Sequence, residues 1–219
     1  MSPPIAIFDL DGTLLDTLED LADACNQTLE VCGYPQHPVD AYKHFVGDGL
    51  RVLMERITPD HVEPSDIDRC FEIFNKVYSD CWDKRSRPYD GIPEMLRELR
   101  SAGVRCSVLS NKPHSFTGTY IQRFFDKGTF ELVFGQREGV AKKPSPAGAL
   151  EIAAKMNVNA ADCIYVGDTA VDMQTGTAAG MFTIGVLWGF RDIVELQRNN
   201  ADMIVKSPME IVEYVIHSR

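Results

Sequence analysis

At 219 residues, with 44% hydrophobic and 25% charged side chains, the chain suits one large α/β domain, or a domain with a smaller companion; disorder and fibrous repeats are excluded. Acidic residues outnumber basic ones 32 to 22 for a net charge of −10, and no basic run offers a footprint for a phosphate backbone, which excludes nucleic acid as a partner. An acidic protein that handles an anionic substrate needs a local cation against its own field, and a divalent metal is the usual one.

The first element is the apolar run I-A-I-F at 5–8, the size of a buried strand. D-L-D-G-T follows at once and puts Asp9 and Asp11 at the strand end, where an unpaired buried charge is costly. Between about 16 and 87 no convincing strand occurs. Leu18, Leu21, Ala22, Cys25, Leu29 and Cys32 form one helical stripe there, and Ile67, Cys70, Phe71, Phe74, Val77, Tyr78 and Cys81 form another. This segment reads as a helical insertion bordered by G-T-L-L-D and by the polar K-R-S-R-P-Y-D. Apolar runs at 104–109, 132–134, 163–166, 181–186 and 203–205 then alternate with helical patterns. Ile92, Met95, Leu96 and Leu99 make one such stripe, and Met209, Val212, Val215 and Ile216 make another. The alternation predicts an α/β fold with a doubly wound parallel sheet. The expected division is a core of 1–15 and 88–219 with a helical cap of 16–87.

Six cysteines are scattered without C-x-x-C or zinc spacing and read as reduced, mostly buried thiols; the five histidines show no metal spacing. The N-terminus carries no basic region followed by an apolar stretch, and no segment reaches the length of a membrane span. The expectation is a cytoplasmic protein without a membrane partner.

Open parallel sheets bind ligands outside the carboxyl ends of their strands. The segments to inspect are therefore D-L-D-G-T, S-N-K-P at 110–113, G-Q-R-E-G-V-A-K-K-P at 135–144 and G-D-T-A-V-D at 167–172. Carboxylates gathered at one rim repel unless a cation sits among them, and Asp9, Asp11 and Asp168 offer the hard oxygens that Mg²⁺ prefers. Asp9 beside such a cation could attack phosphorus, and Asp11, two residues along an extended backbone, could protonate the leaving oxygen and later deprotonate water. Lys143 would offset charge, while Ser110 and Asn111 would donate hydrogen bonds to the phosphoryl oxygens.

The set D-L-D-G-T, S-N-K-P, K-K-P-S-P and V-G-D-T-A-V-D-M, in this order, resembles the haloacid dehalogenase superfamily of phosphohydrolases, and the insertion resembles that superfamily's helical cap. S-N-K-P, K-K-P-S-P and V-L-W-G-F-R at 186–191 are most similar to its phosphoglycolate phosphatase-like branch. The resemblance implies Asp9 as nucleophile, Asp11 as acid and base, and Ser110, Asn111 and Lys143 on phosphate. It implies Mg²⁺ on Asp9, the main-chain carbonyl of Asp11 and Asp168, with Asp172 a second acidic residue of the metal site. Lys143 matches the motif because it precedes Pro144; Lys142 does not. A small phosphorylated metabolite is the implied partner, 2-phosphoglycolate the leading substrate.

Plainer readings stand beside these. D-L-D-G is not a calcium loop, because its sixth position is Leu14 and its twelfth Asp20. Asn111 could cap a helix with Pro113 in its first turn, and Asp168 could cap one that Thr169 opens. In V-G-D-G-L-R, at 46–51, Gly47 and Arg51 could reach from the cap to a substrate carboxylate, or could form a plain connection between helices. Lys43 and His44 read as surface. Dehalogenases and phosphonate hydrolases of the superfamily lack the second Asp supplied here by Asp11. A sugar phosphomutase or pyrophosphatase on the same residues, or a non-catalytic phosphate-binding regulatory module, remain the alternatives.

Overall fold

The computed structural model describes residues 5–217; residues 1–4, which hold the start of the N-terminus read above for a leader, and 218–219 lie outside it. Six parallel strands form one sheet in the order β5-β4-β1-β6-β7-β8. They are β1 (Ile5–Phe8), β4 (Arg105–Pro113), β5 (Leu132–Gln136), β6 (Cys163–Gly167), β7 (Phe182–Val186) and β8 (Met203–Val205). All four residues of β1 are buried, and their period of two explains why both faces must be covered. Ala6 and Phe8 enter one hydrophobic cluster, while Ile5 and Ile7 enter the other on the opposite face. From β1 the chain builds outward through β4 and β5, then returns to β1's other side for β6, β7 and β8. The crevice at the carboxyl end of β1, between β4 and β6, is the topological switch point.

Helices α5 (Ile92–Ser101), α6 (His114–Phe124), α7 (Ala147–Lys155), α8 (Ala170–Ala178), α9 (Ile193–Arg198) and α10 (Pro208–His217) follow the strands. In α5 the predicted stripe is buried throughout. In α10 it is rotated: Val212 and Val215 are buried, but Ile211 joins them while Met209 and Ile216 face outward. Ile211 precedes Val215 by one turn and so shares its face, and Met209 lies at the helix entry.

The segment between β2 (Leu15–Asp16) and β3 (Arg87–Pro88) holds α1 (Leu18–Cys32), a 3₁₀ turn at Val39–Ala41, α2 (Tyr42–Phe45), α3 (Leu50–Ile57) and α4 (Pro64–Ser79). β2 and β3 pair antiparallel, so the chain leaves and re-enters the sheet region at one point. Buried Asp20, at the start of α1, accepts hydrogen bonds from the main-chain N–H groups of Arg85 and Ser86 and from the Ser86 hydroxyl, which fastens the two crossings together. Leu18, Leu21, Ala22, Cys25 and Leu29 are buried as the stripe requires. All six cysteines are free thiols, five of them buried. Among the described residues no helix is long and apolar enough to cross a membrane.

β4 runs to Pro113, four residues past the predicted end, and its pairing with β5 slips between Leu109 and Pro113. S-N-K-P therefore lies on an irregular strand extension. Helix α6 begins after it with Pro113 as the cap residue and no side-chain cap, so Asn111 caps nothing. Nor does Asp168 cap α8. Thr169 does, in a capping box whose third helical residue is Asp172.

Candidate active site

The loop after β1 is a tight turn built on one carbonyl. Leu10 O accepts from the N–H groups of Leu14 and Leu15, both at 3.0 Å, and Gly12 takes a positive φ of 88°. Asp9 still belongs to the sheet, donating its N–H to Val166 O at 2.9 Å, so its side chain is fixed by the strand. Asp11 lies on the other side of the turn. The two carboxylates consequently meet different partners.

Asp9, Asp168 and Asp172 converge, each offering a carboxylate oxygen within 4.8 Å of the others, all buried. Lys143 Nζ donates to Asp9 Oδ1 at 2.6 Å and to Asp172 Oδ1 at 2.7 Å, and its side chain is only 3% exposed. The second oxygen of Asp172 accepts from the N–H and hydroxyl of Thr169. Asp168 accepts from the Thr13 hydroxyl at 3.0 Å and from Phe190 N–H at 2.8 Å. Asp9 Oδ2 makes no hydrogen bond among the described residues. Three glycines make this packing possible: a Cβ on Gly12 or Gly189 would lie 2.4 Å from an atom of Asp168, and one on Gly167 would lie 2.3 Å from Asp172.

Three buried acids and one lysine leave the cluster electron-rich. Burial, with opposition from Lys143 and reinforcement from Asp172 and Asp168, raises the Asp9 carboxyl well above the ordinary range. Burial and the charge of Asp172 push Asp168 up to about 7. Burial works against the charge of Lys143, but Asp172 and Asp9 outweigh it and hold the ammonium well above the ordinary lysine range. A hard, oxygen-only donor set with unneutralised negative charge fits a divalent cation such as Mg²⁺.

Asp11 is held elsewhere. Its carboxylate accepts from Thr17 Oγ1 at 2.7 Å and from Lys112 Nζ at 3.1 and 3.3 Å. Sequence reasoning gave Lys112 no role. Its ammonium also donates to the Tyr78 hydroxyl at 2.9 Å and lies 4.5 Å from the centroid of the Tyr120 ring. Burial opposes this charge too, yet Asp11 and Tyr120 raise its pKa above the ordinary value. Its placement by the strand irregularity of β4, and Tyr78's arrival from α4, leave no local pattern in the sequence.

Ser110 and Asn111 do lie beside Asp9, lining the same cavity as Asp11, Lys112 and Lys143. The Asn111 side chain is fully committed, however: Nδ2 donates to Gly47 O and Lys143 O, and Oδ1 accepts from Lys143 N–H. It ties loops together instead of offering free donors. Gly47 reaches the cavity, as expected of its loop; Arg51 does not. The Arg51 guanidinium is exposed and pairs with Asp68 and Glu55, because it projects from the outer face of α3. Three successive carbonyls of the 46–48 loop are gripped from across the crevice: Val46 by Arg191 at 3.0 Å, Gly47 by Asn111 at 2.9 Å and Asp48 by Lys142 at 2.5 Å.

Fold and site define an α/β protein with an acid-and-lysine cluster at a sheet switch point. The haloacid dehalogenase-like hydrolase model matches residues 6–186. The chain is 30% identical over 99% of its length to a phosphoglycolate phosphatase of Psychrobacter arcticus, covering 97% of that protein, and 31% identical to one of Aquifex aeolicus, covering 95% of each. A crystal structure from Lactobacillus delbrueckii subsp. bulgaricus, provisionally named a phosphoglycolate phosphatase, superposes with a TM-score of 0.93 at 30% identity, covering 99% of this chain and all of that one. The chain belongs to the haloacid dehalogenase-like hydrolase family. Within it, the protein is a phosphatase-type enzyme that resembles phosphoglycolate phosphatases.

Proposed function

We propose that the protein hydrolyses a small phosphate monoester through an aspartyl-phosphate on Asp9, with 2-phosphoglycolate, the substrate in the names of its relatives, as the leading candidate. The observation that carries this reading is the division of labour between the two acids of D-L-D: Asp9 faces Lys143 and the acidic cluster, whereas Asp11 faces Lys112 and Thr17.

Asp9 Oδ2, free of hydrogen bonds, attacks phosphorus while Lys143 balances charge on the attacking carboxylate and the phosphoryl oxygens. As the ester bond breaks, Asp11 gives its proton to the leaving oxygen. Asp11 then takes a proton from water, whose oxygen cleaves the acyl phosphate and restores Asp9. Ser110 has its hydroxyl hydrogen available for a phosphoryl oxygen, since its oxygen accepts from Lys112 N–H at 3.2 Å. Asn111 acts on phosphate indirectly, by fixing the loop that carries Lys143. Asp9, Asp168 and the main-chain carbonyl of Asp11 would hold Mg²⁺, with Asp172 beside them. The bound ion would offset the charge of the phosphoryl group and the carboxylates.

Residues 16–87 act as a cap over this cavity. The grip on the carbonyls of Val46, Gly47 and Asp48 supports a closed arrangement that keeps bulk water from the acyl phosphate. The test is phosphate release from 2-phosphoglycolate, pyrophosphate and sugar phosphates with Mg²⁺ or EDTA, beside Asp9→Asn. Release that requires both Mg²⁺ and Asp9, with a borohydride-trapped acyl phosphate on Asp9, is the expected result. Turnover that survives Asp9→Asn would sink the proposal.

A further inference from the structure

The cavity has two unlike walls. Its floor is polar, with Asp9, Ser110 and Lys143 at the reacting end. Its roof is not: α1, α3 and α4 contribute Leu21, Leu50, Leu53 and Phe74, and α6 adds Phe116. The one hydroxyl that the inserted helices bring to this wall is that of Tyr78, which already pairs with the Tyr120 hydroxyl at 2.6 Å and accepts from Lys112.

Two cations line the cavity among the described residues, Lys143 and Lys112. Lys143 is engaged with Asp9 and Asp172 at the phosphoryl end. Lys112 pairs instead with Asp11, at 3.1 Å. An ammonium has three hydrogens: the Tyr78 hydroxyl takes one at 2.9 Å, and the two oxygens of Asp11 accept at 3.1 and 3.3 Å. A substrate carboxylate would replace the longer Asp11 contact, which Asp11 gives up once it carries the proton destined for the leaving oxygen. Contact with the Tyr120 and Tyr78 rings also holds the group in place.

We infer that Lys112 is the specificity-determining residue of this phosphatase, reading a carboxylate on the carbon that bears the ester oxygen, so that the substrate class is the phosphate esters of short 2-hydroxy acids. The inference rests on the phosphohydrolase reading above and deepens it. Asp11 must approach the ester oxygen to protonate it. A carboxylate two bonds from that oxygen then falls beside Asp11, where the Lys112 ammonium already sits. The apolar roof takes hydrogen or a small apolar substituent on the same carbon. A sugar phosphate would bury several hydroxyls against leucine and phenylalanine with no side chain free to pair them, which is unfavourable. This is why a phosphomutase or sugar phosphatase is disfavoured.

The experiment compares kcat/KM for four esters with Mg²⁺: 2-phosphoglycolate, 2-phospholactate, ethyl phosphate and glucose 6-phosphate. Ethyl phosphate keeps the ester and loses the carboxylate. The wild-type enzyme is expected to prefer both carboxylated esters over ethyl phosphate by roughly 10- to 100-fold, the worth of one charge-assisted hydrogen bond in a dry site, with glucose 6-phosphate poorest. In Lys112→Met, checked for folding by its melting curve, that preference should collapse towards one through KM for the carboxylated esters. If wild type shows no preference, or if Lys112→Met slows carboxylated and plain esters by the same factor, Lys112 acts only through Asp11 and the inference is overturned. If Lys112→Met fails to fold, Lys112→Gln, which keeps a hydrogen-bond donor and loses the charge, is read by the same ratio: a preference that stays at the wild-type value overturns the inference. Turnover of all four esters that persists in Asp9→Asn would instead overturn the phosphohydrolase reading and this inference with it.

Discussion

Replacing Lys143 with Met removes the one ammonium that Asp9 and Asp172 share while keeping most of the side-chain volume. The lysine side chain is 3% exposed and those of Asp172 and Asp9 are 1% and 9% exposed, so neither carboxylate can draw full compensation from water. Breaking a buried ion pair by deleting one partner costs about 3–5 kcal/mol, and a chain of this size loses about 2–4 °C of Tm per kcal/mol. The metal-free variant should therefore melt roughly 10 °C below wild type near neutral pH. Protonation offers a partial escape, because burial already raises Asp9 well above the ordinary range. The deficit should shrink at about pH 5 and widen at about pH 8. Mg²⁺ should restore part of it by supplying the missing positive charge. Phosphatase activity should fall by at least about 10²–10³, as when a preorganised charge-stabilising donor is removed. Thermal melts in EDTA at the two pH values, repeated with Mg²⁺, test the reasoning. A variant that melts within about 2 °C of wild type in EDTA at pH 8 would refute the view that Lys143 carries the charge balance of this site.

Metal binding should depend on pH in a definite direction. The Asp168 carboxyl rises from 3.8 to about 7 in the metal-free fold, so the folded state holds a proton that the unfolded state releases. That contribution to stability is complete below the ordinary aspartate range and is lost as pH rises through about 7, by an amount on the order of 4 kcal/mol. Mg²⁺ must displace the proton, so its apparent affinity, followed by titration calorimetry, should tighten by up to about tenfold per pH unit between about pH 5 and 7; a flat profile would contradict this. Two glycine substitutions should part in sign. Gly189→Ala sets a Cβ 2.3 Å from Gly12 O and 2.4 Å from the Asp168 Cβ, whereas Gly118→Ala, in α6, meets nothing within 4 Å. The first should lose roughly 1–3 kcal/mol in denaturant unfolding and weaken Mg²⁺ binding about 10- to 100-fold; the second should gain up to about 1 kcal/mol.

Much of the architecture is legible in local pattern because local physics produces it. A run such as I-A-I-F has no low-energy home except a strand covered on both faces, and the i, i+3, i+4, i+7 stripe of α5 buries as one face must. Punctuated alternation of such runs yields the parallel sheet, and a parallel sheet brings its strand ends to one rim. Asp9, Asp168, Asp172 and Lys143 met there for that reason. Where the pattern was weaker, tertiary packing prevailed: the buried face of α10 turned towards Ile211, and β4 ran on through S-N-K-P because β5 could still pair with it.

The fold and the meeting of Asp9, Asp168, Asp172 and Lys143 were written in the chain, since both follow from periodicity and from residues placed at strand ends. The far half of the pocket was decided only in three dimensions. Arg51, plausible by charge and by its glycine-rich turn, points outward to Asp68, and the cation that lines the cavity beside Asp11 is instead Lys112. Lys112 is held by Asp11, 101 residues away in the chain, and by Tyr78, 34 residues away. Likewise Arg191, Asn111 and Lys142 close on three neighbouring carbonyls from separate segments of the chain. Contacts between distant segments leave no period in a sequence, because which side chains meet is set by how the helices between β2 and β3 seat on the sheet, not by the spacing within any one of them.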